Sequence, residues 1–223
     1  MHPHHPVNID TLLSHILLFE GLAAPELARI AHGTREVRAS KGDILFHKGD
    51  PCTGFHLLVY GQMKLAFTSQ QGNEKVVEIV QQGQSFGEAI MFMEKPYIVF
   101  AQALTDSLLL HVSKQAVFAE LERDPKLGRK MLAGMAIRLH TLMNDVESYS
   151  LHSGKERIIG YLLRELAEED QNGTNVAVTL PTNKGVIASR LNLTQEHFSR
   201  ILHELSALEL IAVEGRKIHI PSV

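Results

Sequence analysis

The chain is poor in cysteine: Cys52 is the only one in 223 residues. One thiol excludes an internal disulfide, and it excludes a cysteine-rich metal or iron–sulfur framework built within one chain. Cys52 itself reads as a small buried hydrophobe. Long apolar runs are missing as well. No segment approaches the roughly 18 uninterrupted apolar residues of a membrane helix, and the N-terminus lacks a basic region followed by an apolar core. The expectation is a cytoplasmic protein with no membrane segment. Positive charge is also not in excess. A net charge of −3 with histidine neutral is not the footprint of a protein that coats nucleic acid non-specifically. What is present is a hydrophobic fraction of 44%, that of a globular protein, in a length that fits two small domains. Histidine is abundant, at thirteen. His2, His4 and His5 read as part of a terminal arm rather than a metal site.

The most informative stretch is Leu191-Asn192-Leu193-Thr194-Gln195-Glu196-His197-Phe198-Ser199-Arg200-Ile201-Leu202. Thr194 is a good N-cap, and Phe198, Ile201, Leu202 and Leu205 then recur at helical spacing to form an apolar face. Glu196, Ser199 and Arg200 stand at i, i+3 and i+4, so they project together near the start of that helix. Their chemistry suits base edges: Arg can donate twice to guanine, Glu can accept from cytosine, and Ser can bond several bases or a phosphate. A shorter helix over about Lys184 to Leu191, capped by Thr182 or Asn183, precedes it. Leu210–Val213 and Lys217–Ile220, joined by a turn at Gly215, follow as a hairpin. Together these make a winged helix-turn-helix. Taken alone, the same spacing also fits a helical hairpin with a solvated polar face. Residues 181–223 carry five basic and four acidic side chains, so base contacts and dimer avidity would have to carry affinity.

Toward the N-terminus, Asp10–His15 and Ala24–Ala31 read as short helices, the second opened by Pro25. From Val37 to Val112 short apolar runs alternate with glycines, the pattern of an antiparallel barrel or roll. Its clearest strands are Ile44–Phe46, Phe55–Val59, Met63–Phe67, Val76–Val80 and Ser107–Val112. A helix beginning near Pro125 carries Leu132, Met135, Leu139, Leu142, Val146 and Tyr149 in steps of three and four. That seam fits a dimer helix, or a helix packed on its own roll. The pattern breaks at Ser150–Gly154, where Ser153 and Glu156 have capping-box spacing and open a new helix. Ile158, Ile159, Leu162, Leu163 and Leu166 form its apolar face. A polar loop, Glu168–Gly173, and a short strand, Val176–Leu180, lead into the helix-turn-helix.

The string TQEHFSRIL resembles the recognition helix of the CRP/FNR family of bacterial transcription regulators, and Lys41–Asp50 resembles the opening of the cyclic-nucleotide-binding roll. The resemblance implies that Glu196, Ser199 and Arg200 read inverted TTGAT-type half-sites, with Thr194 and Gln195 beside them. Gln195 departs from the basic residue of some members, which leaves a phosphate contact or none. The family binds its effector beside a Phe-Gly-Glu motif, here Phe86-Gly87-Glu88, which implies an effector pocket at Glu88, Met91, Phe92, Tyr97 and Val99. Nucleotide-binding members grip the cyclic phosphate with an Arg-Ser pair. Pro96–Phe100 contains neither residue, so no cyclic AMP binding is expected. With one cysteine, no iron–sulfur cluster is expected.

The phrase FGEAIMFMEKPY, with Arg138-Leu139-His140, resembles the DNR-type subgroup, which implies nitric oxide sensing through haem b and control of denitrification genes. The axial candidates are His15 first and His140 second, with His56 and His111 also considered. The fold expected is α+β. A sensory β-roll with N-terminal helices spans 1–122, the dimerisation helix and hinge 123–152, and the winged helix-turn-helix domain 153–223. The function expected is a homodimeric, effector-regulated transcription factor, not an enzyme, which binds DNA and, by resemblance, RNA polymerase. Two alternatives remain: a regulator responding to another apolar small molecule, and a ligand-binding roll whose helix-turn-helix pairs with protein.

Overall fold

The computed structural model describes residues 9–14, 23–69, 71–169 and 176–221. Helices α1 (Ile9–Ser14) and α2 (Ala24–His32) come first. The Ala23 N–H donates to Glu26 at 2.6 Å at the start of α2. Strands β1 (Thr34–Ala39), β2 (Ile44–Phe46), β3 (Gly54–Tyr60), β4 (Met63–Thr68), β5 (Glu74–Val80) and β6 (Ser85–Phe86) lead to helix α3 (Glu88–Met93). Strands β7 (Phe100–Ala103) and β8 (Ser107–Ser113) complete the roll.

The strands form two four-stranded sheets, ordered β1-β8-β3-β6 and β2-β7-β4-β5. In β3 and β8 nearly every residue is buried, because both faces of their sheet are covered. Phe55, Leu57, Leu110 and Val112 face a core shared with Leu13 of α1 and Ile30 of α2. Leu58 and Leu109 face the opposite core, with Phe46, Leu65, Phe86 and Tyr97. The five strands expected from the sequence are present, and the roll begins at Thr34 rather than Val37. Strands β1, β6 and β7 are additions. They are short, and what defines them is pairing with β8, β3 and β2 or β4.

After α4 (Lys114–Arg123) a single helix, α5, runs unbroken over Pro125–Leu151. It is followed by α6 (Gly154–Glu169), β9 (Val176–Thr179), α7 (Lys184–Arg190), α8 (Gln195–Ala207), β10 (Ala212–Glu214) and β11 (Lys217–Ile220). The last three strands form a sheet ordered β10-β11-β9. Gly215, at φ 62°, makes the turn between β10 and β11, a left-handed conformation that suits glycine. The first wing strand starts at Ala212, two residues later than Leu210.

At the break before α6, the Ser153 N–H donates to Glu156 at 2.7 Å and the Glu156 N–H donates to Ser153 Oγ at 3.3 Å. This is the reciprocal capping that the spacing predicts. The chain forms two compact units, one of residues up to Gly72 with Val77–His140, the other Asn73–Val76 with Thr141–Val223. The division therefore falls inside α5. From residue 170 the expected polar loop lies outside the described residues, as do His2, His4, His5 and His15. Among the described residues no helix is long and apolar enough to cross a membrane.

Candidate functional site

In the second unit the helix-turn-helix is built from α7 and α8. Asn183, not Thr182, caps α7: its side chain accepts from the Val186 N–H at 3.0 Å, while Thr182 is buried. Leu191 closes the helix and Asn192 adopts φ 58° in the turn, a left-handed conformation that Asn tolerates better than most residues. Thr194 then caps α8, accepting from the His197 N–H at 3.2 Å. Phe198, Ile201, Leu202 and Leu205 are all at most 4% exposed, so the apolar face of α8 is fully used in packing. That burial fixes which way the other face looks.

Thr194, Gln195, Glu196, Ser199 and Arg200 are all exposed. The Arg200 guanidinium lies 4.0 Å from Glu204, with its side chain 69% exposed, a contact too loose and too wet to hold it. Gln195 is placed differently from the other four. Its Oε1 lies 2.7 Å from where a Cβ at Gly185 would stand, so it lies across the backbone of α7. Arg190 is occupied elsewhere: it pairs with the buried carboxylate of Asp145 at 2.6 Å and donates to the Tyr149 hydroxyl.

In the first unit a cavity of 280 Å³ opens beside α3, walled by Phe46, Leu65, Phe86, Tyr97 and Val99, with Met131, Gly134 and Met135 of α5. That volume is near the lower end of small-molecule sites, roughly 300–1,000 Å³. Tyr97 stacks on Phe46 with ring centres 3.6 Å apart, and its hydroxyl donates to the Gly54 carbonyl at 3.3 Å. Burial, then the contact with Cys52, pushes its pKa up, so it stays a proton donor. The polar lining residues include Glu78 and Glu88, and among the described residues no Lys, Arg or His lines the cavity. Among the described residues no cluster of three or more His, Cys, Asp or Glu could hold a metal ion.

Residues 36–124 match the cyclic nucleotide-binding domain family, and residues 156–223 match the Crp-like helix-turn-helix domain family. Among solved structures, DNR from Pseudomonas aeruginosa is 31% identical over 98% of this chain and 96% of that one, with a TM-score of 0.54. The chain belongs to the CRP/FNR family of transcription regulators. Other relatives of this CRP/FNR regulator include the anaerobic regulatory protein of Pasteurella multocida, 27% identical over 83% of this chain and 68% of that protein. The CRP-like cAMP-activated global transcriptional regulator of Mycobacterium tuberculosis is 22% identical over 94% of each chain. These relatives are regulators, and so is this chain: it is not an enzyme.

The effector residues expected in this CRP/FNR regulator divide into two groups. Glu88, Tyr97 and Val99 line the cavity. Met91 and Phe92 do not: Met91 joins the core with Leu13 and Ile30, and the Phe92 ring stacks on Phe118 at 5.7 Å. The run Ala89–Met93 has no polar side to orient it, so its sequence could not tell cavity from core. The dimer seam divides as well. Leu132, Leu139, Leu142 and Val146 are exposed, at 63%, 61%, 44% and 64%. Met135 instead lines the cavity, and the Tyr149 hydroxyl donates to the Arg190 carbonyl. Met143 and Ile137, at 62% and 70% exposed, were missed. Met143 completes the spacing Leu139, Met143, Val146 and was legible there.

None of the expected haem ligands among the described residues lines the cavity. His140 is exposed on α5 and His15 lies outside the described residues. His56 and His111 are buried against each other, with ring centres 4.9 Å apart. Among the described lining residues, iron would meet the thioethers of Met131 and Met135 or the phenol of Tyr97, and no imidazole. A histidine-ligated haem does not fit the cavity as the described residues line it.

Proposed function

We propose that this CRP/FNR regulator acts as a homodimer that reads an inverted repeat of TTGAT-type half-sites through Glu196, Ser199 and Arg200, and whose DNA affinity is set by an effector in the roll. The observation that carries the reading is the exposure of these three side chains together at the start of α8, on a helix whose opposite face is wholly buried. In a dimer, two such helices meet successive turns of the duplex. The exposed residues of α5 supply an apolar surface for the second copy. RNA polymerase as a partner, and a cytoplasmic setting, follow from the same family reading.

The effector we propose is a small, largely apolar molecule. Among the described residues two carboxylates and no cation line the cavity, which opposes a cyclic phosphate, since that group needs charge-assisted donors. One cysteine opposes an iron–sulfur cluster. A second reading, nitric oxide sensed through haem, follows from the resemblance of FGEAIMFMEKPY to the DNR-type subgroup, even though no described histidine lines the cavity.

Titration against a duplex with inverted TTGAT half-sites, with and without haem and nitric oxide under anaerobic conditions, tests both levels. Binding without haem keeps the regulator and removes haem from the mechanism, whereas binding only with haem and nitric oxide restores it. Binding under no condition favours a protein partner for the helix-turn-helix. Arg200→Ala is expected to cost about 1–3 kcal/mol per half-site and to relax choice at one base pair. Equal binding by variant and parent refutes the role of Arg200.

A further inference from the structure

One helix of the second unit touches the helix-turn-helix at the two points that govern how α8 is presented. Arg157 of α6 donates through Nη1 to the Leu191 carbonyl at 2.8 Å and to the Asn192 carbonyl at 3.2 Å. Both carbonyls lie where α7 has ended and its own hydrogen-bond ladder cannot serve them. The Asn192 and Leu193 N–H groups are already committed, to Ser189 at 3.1 Å and Ala188 at 2.8 Å. The guanidinium therefore completes the hydrogen bonding of the turn. One helical turn earlier, Gly154 lies so close that a Cβ would stand 3.0 Å from Ile201 Cδ1 and 3.1 Å from Leu193 Cδ2. Positions 154 and 157 share a face of α6, and that face meets both the turn and the recognition helix.

Arg157 is held there at a cost. Its Nε is buried with no hydrogen-bond partner among the described residues, a situation that ordinarily disfavours a side chain. A hydrocarbon side chain would fill the space without that penalty, but it could not donate to two carbonyls of the turn.

We propose that Arg157 is a positioning residue for DNA recognition: it ties α6 to the turn of the helix-turn-helix and fixes where Glu196, Ser199 and Arg200 are presented. The inference rests on the reading of α8 as the DNA-reading helix. It differs from a direct phosphate contact, which would lower affinity for all sequences alike and flatten the salt dependence. A positioning tie instead lowers the ratio of specific to non-specific affinity and leaves the salt dependence of non-specific binding unchanged.

The test compares the full-length parent with Arg157→Met and Arg157→Lys on a TTGAT inverted repeat and on a scrambled duplex, at several salt concentrations. Expected is a roughly tenfold or greater fall in the specificity ratio for Arg157→Met, with non-specific binding retained. Partial recovery is expected for Arg157→Lys, whose point charge cannot reproduce the planar fork of Arg. Equal loss on both duplexes, or an unchanged ratio, overturns the proposal. Hydrogen exchange at the Asn192 and Leu193 amides is read in parallel and needs no DNA. Faster exchange in Arg157→Met supports the tie, and an unchanged rate overturns it. A parent that binds neither duplex while the exchange rates rise would put the failure in the DNA reading, not in the tie.

Discussion

His56 and His111 face each other across β3 and β8, with Arg35 opposite His111 on β1. His56 also stacks on Phe86 at 5.3 Å, and its Nδ1 is buried without a hydrogen-bond partner among the described residues. Burial first, then His111 and Arg35, lowers the pKa of His56 to about 3. Burial and Arg35 lower that of His111 as well. The unfolded chain takes up these protons near the ordinary value of about 6.5, while the folded chain resists. Stability from this pair is therefore complete above about pH 6.5 and is lost as pH falls from there toward 3, at up to about 1.4 kcal/mol per pH unit for His56. Urea melts across that range are expected to show a shallower pH dependence in His56→Phe; parallel curves for variant and parent would refute the account. On sequence alone His56 is one of several haem candidates. Its neighbours Phe55 and Leu57 mark a strand, but they do not reveal that both sides of that strand are covered. That depends on the second sheet and on α1 and α2.

Helix α5 shows how far spacing carries at the scale of an element. Steps of three and four predicted a seam, and most of it is bare in the single chain. Leu139→Glu with Val146→Glu is expected to convert the dimer to monomer in sedimentation and to weaken operator binding at least 100-fold through loss of avidity. The roll should melt where it did before, since both positions are exposed; a surviving dimer excludes this stripe as the interface. Met135 and Tyr149 fall on the same spacing yet go elsewhere, one to the cavity and one to Arg190. A helix with apolar residues on two sides carries two superposed patterns, and a single periodicity cannot separate them. A phenol also needs a hydrogen-bond partner once it leaves water. The winged helix-turn-helix was far more legible, because its caps, left-handed turn and wing glycine are local devices written in adjacent residues. Strand β1 was not: Thr34–Ala39 sets the adjacent charges Arg35 and Glu36 beside Val37 and Arg38 with no clean alternation, and its identity comes from pairing with β8.

For the whole molecule, charge decides how DNA is held. Net charge is −3, and Arg190 is committed to Asp145. Lys184, Arg216 and Lys217 are then the basic side chains of the helix-turn-helix and wing left for phosphates, apart from Arg200, which is proposed to read a base. Three per protomer correspond to a slope of about −5 in log K against log salt for a dimer. A slope near −10 in fluorescence anisotropy titrations would mean a much larger basic surface is engaged. The order of roll, long helix and winged domain was readable from punctuation by glycine and from the caps at Ser153 and Thr194. The identity of the effector was not, because a cavity is a shape made by residues as distant as Phe46 and Met135. The bare stripe on α5 has one further consequence, at the level of gene dosage. While most of the protein is single chains, the species that can grip both half-sites grows with the square of the amount made, so doubling synthesis raises it roughly fourfold. A promoter under this regulator would then count molecules as well as sense a ligand.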